Sequence, residues 1–243
     1  MRADQNIRPK PQWVMETMPL DRVMGDMLLL PNDHVLLING ASAGVAGWEL
    51  GRNPVLSPVV YQPDKQVGSR FEVQNPSTIP RVYHSTAGLL PDGRVLVGGS
   101  NPHDKYEFGK VLYPIELSLE AFSPSYLDSN SSILRPNVVL PVKNTKLRFG
   151  KQLVIVFTVS GIVDPSSVSV TMVAPSFNTH SFSMNQRLVV LDVVGGASKI
   201  LGKSRYQVVV TTPPSGNVAP AGNYILYVVH KDIPSPGIWV QMQ

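Results

Sequence analysis

The chain has 243 residues, enough for one large domain or two of modest size. Its 21 basic and 17 acidic residues give a formal charge of +4, and no basic run interleaved with aromatics points to nucleic-acid binding. The absence of cysteine excludes disulfides, thiolate metal sites and cysteine nucleophiles within this chain. No apolar run approaches the roughly 20 residues that a membrane-spanning helix needs. We therefore expect neither nucleic acid nor a membrane as a partner.

The composition favours strands over helices. The 22 prolines and 19 glycines are scattered through runs rich in Val and Leu, a pattern typical of many short strands joined by turns. We therefore predict an all-β fold. Residues 1–12 remain unassigned, and they lack the apolar stretch of a signal peptide.

The first half of the chain contains an internal repeat. The motif LLPxxxVL occurs at Leu29–Leu36 and again sixty positions later at Leu89–Leu96. A third strand is expected after each copy, at Val60–Pro63 and at Ala121–Pro124. A four-stranded unit that recurs at a period of roughly 50 residues is typical of a kelch-type propeller blade.

We therefore predict that residues 13–127 form the last blades of an incomplete kelch-type β-propeller. One complete blade is expected at Leu20–Pro76, and a second at Pro80–Leu127 without an outer strand of its own. Trp13–Glu16 is predicted to be the outer strand of a blade that begins upstream. Propellers close with about four to eight blades, so this chain needs the missing blades as partners.

The pattern changes after a polar linker that begins at Asp128. Turn signals then recur about every ten residues between alternating apolar and polar positions. The predicted strands include Lys151–Val159, Ser167–Val173, Arg187–Val194, Tyr206–Thr212, Asn223–His230 and Gly237–Met242. About seven short strands in residues 128–243 favour an immunoglobulin-like β-sandwich.

The five histidines are the first candidates for a chemical site. We expect His34, in a hairpin turn, and His230, at the end of a strand, to be solvated. His103 follows a Ser-Asn-Pro loop, where it would lie either at the surface or at the rim of a pocket.

Three other residues form a possible metal-binding set. Neighbouring strand residues point to opposite faces, so Tyr83 and His84 can share a ligand only where their strand begins irregularly. Imidazole suits copper and a phenolate can add a further ligand, although a buried Tyr beside a packed His is the alternative interpretation. His180 lies in a loop between two predicted sandwich strands, and such a loop can carry an imidazole into another domain.

The same stretches resemble a known family. The segment RVYHSTAGLLPDGRVLVGGSNPH at 81–103, followed by LSLEAFSPSYL, resembles the copper-radical oxidases, and plant glyoxal oxidases more than galactose oxidase. Residues 179–187 (TH and NQR) and 220–226 (PAGNYIL) are similar to the C-terminal domain of that family. The resemblance covers the chain from Trp13 to its end.

The resemblance implies one copper ion on the axis of a seven-bladed propeller. Tyr83 would be the axial ligand that takes the substrate's hydroxyl proton, and His84 and His180 would be the two equatorial imidazoles. The family's fourth protein ligand is a tyrosine cross-linked to a cysteine, whose radical takes one electron while copper takes the other. Since this chain has no cysteine, that radical pair is absent here.

The implied protein is the C-terminal part of an enzyme that oxidises small aldehydes to carboxylic acids and reduces O₂ to hydrogen peroxide. We expect the chain alone to be inactive, because the Tyr–Cys pair is absent. A primary-alcohol oxidase of the galactose oxidase type and a non-catalytic carbohydrate-binding module remain open alternatives. The resemblance also implies an extracellular or cell-wall location, although the chain carries no signal peptide of its own.

Overall fold

The fold was analysed in a computed structural model, which describes residues 13–199 and 204–243. The unassigned segment 1–12 lies outside these residues. All the regular elements described are short β-strands or short 3-10 helices, so the prediction of an all-β fold is confirmed. Among the described residues, no helix is both long and apolar enough to cross a lipid bilayer.

The strands fall into two groups along the chain. In the first group are β1 Asp26–Leu29, β2 Val35–Ile38, β3 Ala41–Gly44, β4 Gly51–Pro54, β5 Val59–Tyr61, β6 Phe71–Val73, β7 Thr86–Leu89, β8 Val95–Gly98 and β9 Leu119–Phe122. In the second group are β10 Asn137–Leu140, β11 Thr145–Leu147, β12 Gln152–Thr158, β13 Val168–Ala174, β14 Phe177–Thr179, β15 Phe182–Met184, β16 Arg187–Val190, β17 Asp192–Lys199, β18 Arg205–Thr211, β19 Gly222–His230, β20 Ile233–Pro234 and β21 Ile238–Met242. The 3-10 helices are Ser125–Leu127, Ser129–Leu134 and Pro165–Ser167.

The first group forms two antiparallel meanders with the same opening hairpin. One sheet has the order β1-β2-β5-β6, and the other has the order β7-β8-β9. In each sheet the LLPxxxVL motif makes the first hairpin, and the turn takes a left-handed residue at the same place, Asp33 (φ 59°) or Gly93 (φ 89°). The third strands predicted from the repeat are present as β5 and β9. The hairpin β3–β4 was not predicted.

The predicted outer strand at Trp13–Glu16 is wrong. This segment forms no strand, and it is held instead by the Glu16 carboxylate, which accepts hydrogen bonds from Arg70 (2.9 Å) and the Tyr61 hydroxyl (3.1 Å). A strand requires a neighbouring backbone to satisfy its N–H and C=O groups. Here a side chain provides the attachment.

The second group is an immunoglobulin-like sandwich of two sheets. One sheet has the order β10-β12-β18-β17; the other has the order β11-β21-β19-β13-β16, with β20 beside β19. Fully buried side chains fill the space between them, among them Ile155, Phe157, Val170, Val208 and Leu226. This confirms the sandwich prediction.

The predicted strand Arg187–Val194 is in fact two strands that lie in different sheets. β16 pairs with β13, whereas β17 pairs with β18. The chain crosses between the sheets at buried Leu191, whose N–H donates to the Val170 carbonyl (2.9 Å). An alternating pattern does not reveal such a crossing, because both strands keep the period of two residues.

Both repeated turns contact the sandwich. The Thr171 hydroxyl on β13 donates to the Pro31 carbonyl (2.6 Å), and the Tyr227 hydroxyl on β19 donates to the Leu90 carbonyl (3.2 Å). The two meanders are therefore held against one face of the same sandwich sheet.

Truncating a side chain in the sandwich core should lower the free energy of unfolding far more than truncating a side chain on the sandwich surface. Ile155 is 0% exposed, so Ile155→Ala should lower the free energy of unfolding by about 2–5 kcal/mol through lost burial and an unfilled cavity. The neighbour Val154 is 50% exposed, and Val154→Ala should cost less than about 1 kcal/mol. Chemical denaturation measures both values, and equal losses would contradict this assignment of the core.

Candidate metal site

Tyr83 and His84 lie in a turn immediately before β7. His84 has a φ of 60°, a left-handed conformation that interrupts the alternation of side chains expected in a strand. The two rings therefore stack, with centroids 3.9 Å apart and planes inclined by 25°. The irregular strand start that a shared site requires is present.

The orientation of the His84 ring is fixed by the loop after β8. Its Nδ1 lies 3.1 Å from the Asn101 carbonyl oxygen, and the Asn101 N–H donates to the Tyr83 carbonyl (2.8 Å). Because a carbonyl only accepts, Nδ1 carries the proton. This leaves the lone pair on Nε2, the arrangement usually found in a metal-binding histidine.

His180 reaches the same place from the second half of the chain. Strands β14 and β15 pair with each other and belong to neither sandwich sheet. Their two-residue turn is His180-Ser181, with φ values of 50° and 70° typical of a type I′ hairpin. The His180 ring centroid lies 5.5 Å from that of His84 and 6.4 Å from that of Tyr83. The structure thus brings together three side chains drawn from positions 83, 84 and 180.

The hairpin bearing His180 is anchored to both meanders. The Ser183 N–H and hydroxyl donate to the Asp26 carboxylate on β1 (2.8 and 2.7 Å). The Asn178 amide donates to the Ala87 carbonyl on β7 (2.7 Å). The hairpin therefore lies between the first strands of the two sheets.

A side chain just after the hairpin completes the free edge of β1. The Gln186 amide oxygen accepts from the Leu29 N–H (2.9 Å), and its NH₂ group donates to the Met27 carbonyl (2.6 Å). One amide side chain thus satisfies two backbone groups that a further strand would otherwise pair with.

Asp26 is an unusual group at this anchor. It is only 2% exposed, and burial raises the pKa of its carboxyl group. Its described partners are all neutral donors: the backbone N–H groups of Met27 and Ser183, the Ser183 hydroxyl, and more distantly the Asn178 amide (3.5 Å).

The donors fit copper by their chemistry. Two imidazoles and a phenol form a set of nitrogen and oxygen ligands that suits Cu(II). Serine hydroxyls follow both imidazoles, at Ser85 and Ser181, and each is buried without a hydrogen-bond partner among the described residues. Buried hydroxyls without a partner are uncommon, and these two lie beside the candidate ligands in the chain. Within the described residues, no three His, Cys, Asp or Glu side chains are grouped to hold a metal ion, so a set of three donors here would have to include the Tyr83 phenol.

The expectation that His230 is solvated is wrong. The residue is 0% exposed, and it links three segments of the sandwich. Its Nδ1 donates to the Leu134 carbonyl (3.1 Å) and its Nε2 accepts from the Asp164 N–H (3.2 Å). Both ring nitrogens are used in these hydrogen bonds, so His230 is a structural residue.

His103 is buried as well, at 5% exposure, so the expectation of a surface or rim position is wrong. Both of its nitrogens face acceptors, the Glu49 carboxylate (3.1 Å) and the Tyr113 carbonyl (3.1 Å). Burial alone would lower the pKa of His103, but these two hydrogen bonds overcome it and raise the pKa. His34 is half-buried rather than fully solvated, and burial lowers its pKa.

Sequence reasoning missed the residues that hold the site together. Asp26 stands alone among apolar residues in the segment GDMLLL, and an isolated acid inside such a run is the signal that was available. Asn101 and Ser183 give no comparable signal, because Ser and Asn are common in loops and turns.

Comparison with known proteins identifies the family. A family model described as "Glyoxal oxidase N-terminus" matches residues 4–126, half of the chain. A second model, "Galactose oxidase-like, Early set domain", matches residues 135–242. The chain belongs to the glyoxal oxidase family.

Named relatives agree with this assignment. Aldehyde oxidase GLOX1 of Arabidopsis thaliana and aldehyde oxidase GLOX of Vitis pseudoreticulata are each 46% identical over 96% of this chain, which covers 38% and 44% of their lengths. Galactose oxidase of Gibberella zeae is 26% identical over 86% of the chain, which covers 28% of that protein. The chain thus spans less than half the length of these relatives of the glyoxal oxidase family.

A solved structure shares the fold. A fungal alcohol oxidase of the AA5 family, determined in complex with copper, superposes with a TM-score of 0.70 at 22% identity. The match covers 93% of this chain and 43% of the fungal chain. The arrangement of sheets in this member of the glyoxal oxidase family is therefore found in an experimental structure.

The pair formed by His103 and Glu49 should make stability depend on pH. Because the pKa of His103 is higher in the folded than in the unfolded state, the protonated imidazole stabilises the fold. This stabilisation is fully present below the unfolded-state pKa of about 6.5 and is lost as the pH rises through the folded-state pKa. Glu49→Gln removes the charge, so its melting temperature should fall further below that of the wild type at pH 5.5 than at pH 9. Asp128→Asn, which removes an exposed carboxylate, should show no such trend, and a constant difference for Glu49→Gln would contradict the assignment.

Proposed function

We propose that this chain is the C-terminal part of a copper-radical aldehyde oxidase of the glyoxal oxidase type. The reaction takes the hydrate of a small aldehyde, RCH(OH)₂, and O₂ to the carboxylic acid RCOOH and H₂O₂. Two hydrogens leave the hydrate and both are accounted for in the peroxide. The observation that supports this proposal is the convergence of Tyr83, His84 and His180 at one place.

Each of the three side chains has a distinct role in the proposed centre. His84 and His180 would hold the metal through imidazole nitrogens, and the hydrogen bond from His84 Nδ1 to the Asn101 carbonyl leaves Nε2 for that purpose. The Tyr83 oxygen accepts the hydroxyl proton of the bound hydrate. Copper, when bound, supplies a Lewis acid and an acceptor for one electron.

The second one-electron acceptor is proposed to lie outside this chain. The chain has no cysteine for a Tyr–Cys pair, and it spans less than half the length of the aldehyde oxidases it matches. We propose that the two meanders are the last blades of a kelch-type propeller and that the other blades carry this pair. Large apolar side chains exposed on the hairpin and on β1 support this, because such surfaces are normally covered by a partner. They are Met27, Phe177, Phe182 and Met184.

Two observations favour a second candidate, a primary-alcohol oxidase. The matched structure is an alcohol oxidase, and galactose oxidases are among the relatives. In that case RCH₂OH and O₂ give RCHO and H₂O₂ with the same three side chains. The aldehyde reaction is preferred because the aldehyde oxidases are 46% identical to this chain and the galactose oxidase 26%. An extracellular or cell-wall location is proposed with either reaction.

Copper binding tests the site directly. His84→Ala or His180→Ala should weaken Cu(II) binding by more than tenfold in calorimetric titration, because each removes one of two imidazole ligands. The matched control is His34→Ala, which removes a half-buried imidazole elsewhere and should leave the affinity unchanged. Equal binding by all three variants would show that copper binds elsewhere.

Turnover tests the proposed division of the enzyme. The chain loaded with copper should produce no peroxide from methylglyoxal or galactose above the background of free copper. The reason is that one copper accepts one electron at a time, whereas the oxidation removes two. A peroxide-coupled assay measures this, and turnover abolished by His180→Ala would mean that this chain holds its own second acceptor.

A further inference from the structure

Asp26 is the group that most needs an explanation beyond stability. It is almost fully buried in β1, and the partners described for its carboxylate are all neutral. Burial of a carboxylate away from water is unfavourable unless it is well compensated. A carboxylate that is buried at such a cost is a candidate for a specific task.

We propose that Asp26 is a positioning residue that fixes His180 for metal binding. This inference rests on the proposed function, in which His180 is a copper ligand. Asp26 does not touch the metal. It acts through the hairpin formed by β14 and β15.

The hydrogen bonds show why a carboxylate suits this task. Three donors lie within 2.8 Å of its two oxygens, the N–H groups of Met27 and Ser183 and the Ser183 hydroxyl, and the Asn178 amide lies farther away at 3.5 Å. An ionised carboxylate offers about four acceptor sites and no donor, whereas an amide offers half as many acceptor sites. An Asn side chain in its place would present one acceptor oxygen to these donors instead of two.

The position of these contacts explains their effect on His180. Asn178 and Ser183 are opposite each other in the hairpin register, and only the pair Thr179 and Phe182 lies between them and the turn. With a rise of about 3.3 Å per residue, His180 lies within about 7 Å along the strand of the pair Asn178 and Ser183, which contacts Asp26. Displacement of the tip would therefore strain or break the contacts to Asp26.

The same residue pair is also hydrogen-bonded to the sheet that contains β7. The Asn178 amide donates to the Ala87 carbonyl on β7, the strand that follows His84. Asp26 on one sheet and Ala87 on the other thus hold the two strands of the hairpin. The distance between the His84 and His180 rings is set by this bridge.

The test compares three variants of the full chain. Asp26→Ala removes every acceptor, Asp26→Asn keeps the shape but halves the acceptors, and Thr171→Val removes a different buried hydrogen bond between the two halves of the chain. The first readout needs no copper: hydrogen–deuterium exchange of the amides in residues 177–184. The second is Cu(II) affinity together with the electron paramagnetic resonance spectrum of the bound ion.

We expect Asp26→Ala to speed exchange in the hairpin at least tenfold, to weaken Cu(II) binding at least tenfold and to change the spectrum. Asp26→Asn should have a smaller effect than Asp26→Ala, with hairpin exchange about threefold faster and Cu(II) binding about threefold weaker than in the wild type. Thr171→Val should leave hairpin exchange and the spectrum unchanged even if the melting temperature falls. If Asp26→Ala does not fold, hairpin exchange and Cu(II) binding in Asp26→Asn are compared with those in Thr171→Val to decide whether Asp26 positions His180.

The outcomes separate the two hypotheses. Copper bound through His84 and His180 with wild-type affinity in the Asp26 variants would overturn the role of Asp26 and leave the proposed function standing. Faster hairpin exchange in the Asp26 variants, with no copper bound by His84 and His180 in the wild type, would support the anchor and overturn the proposed function. Unchanged hairpin exchange in the Asp26 variants would overturn the inference on its own.

Discussion

The candidate site depends on how one hairpin of the second half is attached to the first, and the hydrogen bonds from the Ser183 N–H and hydroxyl to the buried carboxylate of Asp26 are the central part of that attachment. Tyr83 and His84 come with the turn before β7, so their geometry is local. His180 is delivered by a hairpin that belongs to neither sheet of the sandwich. Without a fixed attachment, a two-stranded hairpin of this length would have little stability of its own.

The repeated turns provide the coarse alignment on which this contact relies. The carbonyls of Pro31 and Leu90 both accept hydrogen bonds from hydroxyls on neighbouring strands of one sandwich sheet. The same sequence motif therefore forms the hairpin of each meander and offers the carbonyl that docks it. Once both meanders lie on this sheet, the hairpin enters between β1 and β7, where Asp26 and Ala87 accept from its side chains.

A feature of the fold or the site was predictable from the sequence when neighbouring residues determine it, and was not when residues far apart in the chain determine it. The two hairpins of the LLPxxxVL repeat and most of the sandwich strands follow from local alternation and turn residues, so they were predicted close to their observed positions. The hairpins β3–β4 and β14–β15 were not predicted. Tyr83, His84 and His180 were singled out from their residue types and surroundings, but their convergence was implied by resemblance to a family, since no local pattern links positions 83 and 180. The burial of His230 depends on Leu134 and Asp164, which are remote in sequence. The residues next to His230 in the chain therefore gave the wrong prediction that it is solvated. Asp26 has a local signal as an isolated acid in an apolar run, but its task could not be predicted, because its partner Ser183 lies 157 positions away.

A site assembled from two halves of a chain couples metal binding to the docking of those halves. If copper binds only when the rings of His84 and His180 are near each other, linkage requires that copper stabilise the docked arrangement by the same free energy that docking contributes to copper affinity. The buried carboxylate then has a clear physical purpose. It opposes folding through its desolvation, yet it restricts the tip of the hairpin to one position. That restriction is settled during folding, so the metal does not have to order the ligand when it binds.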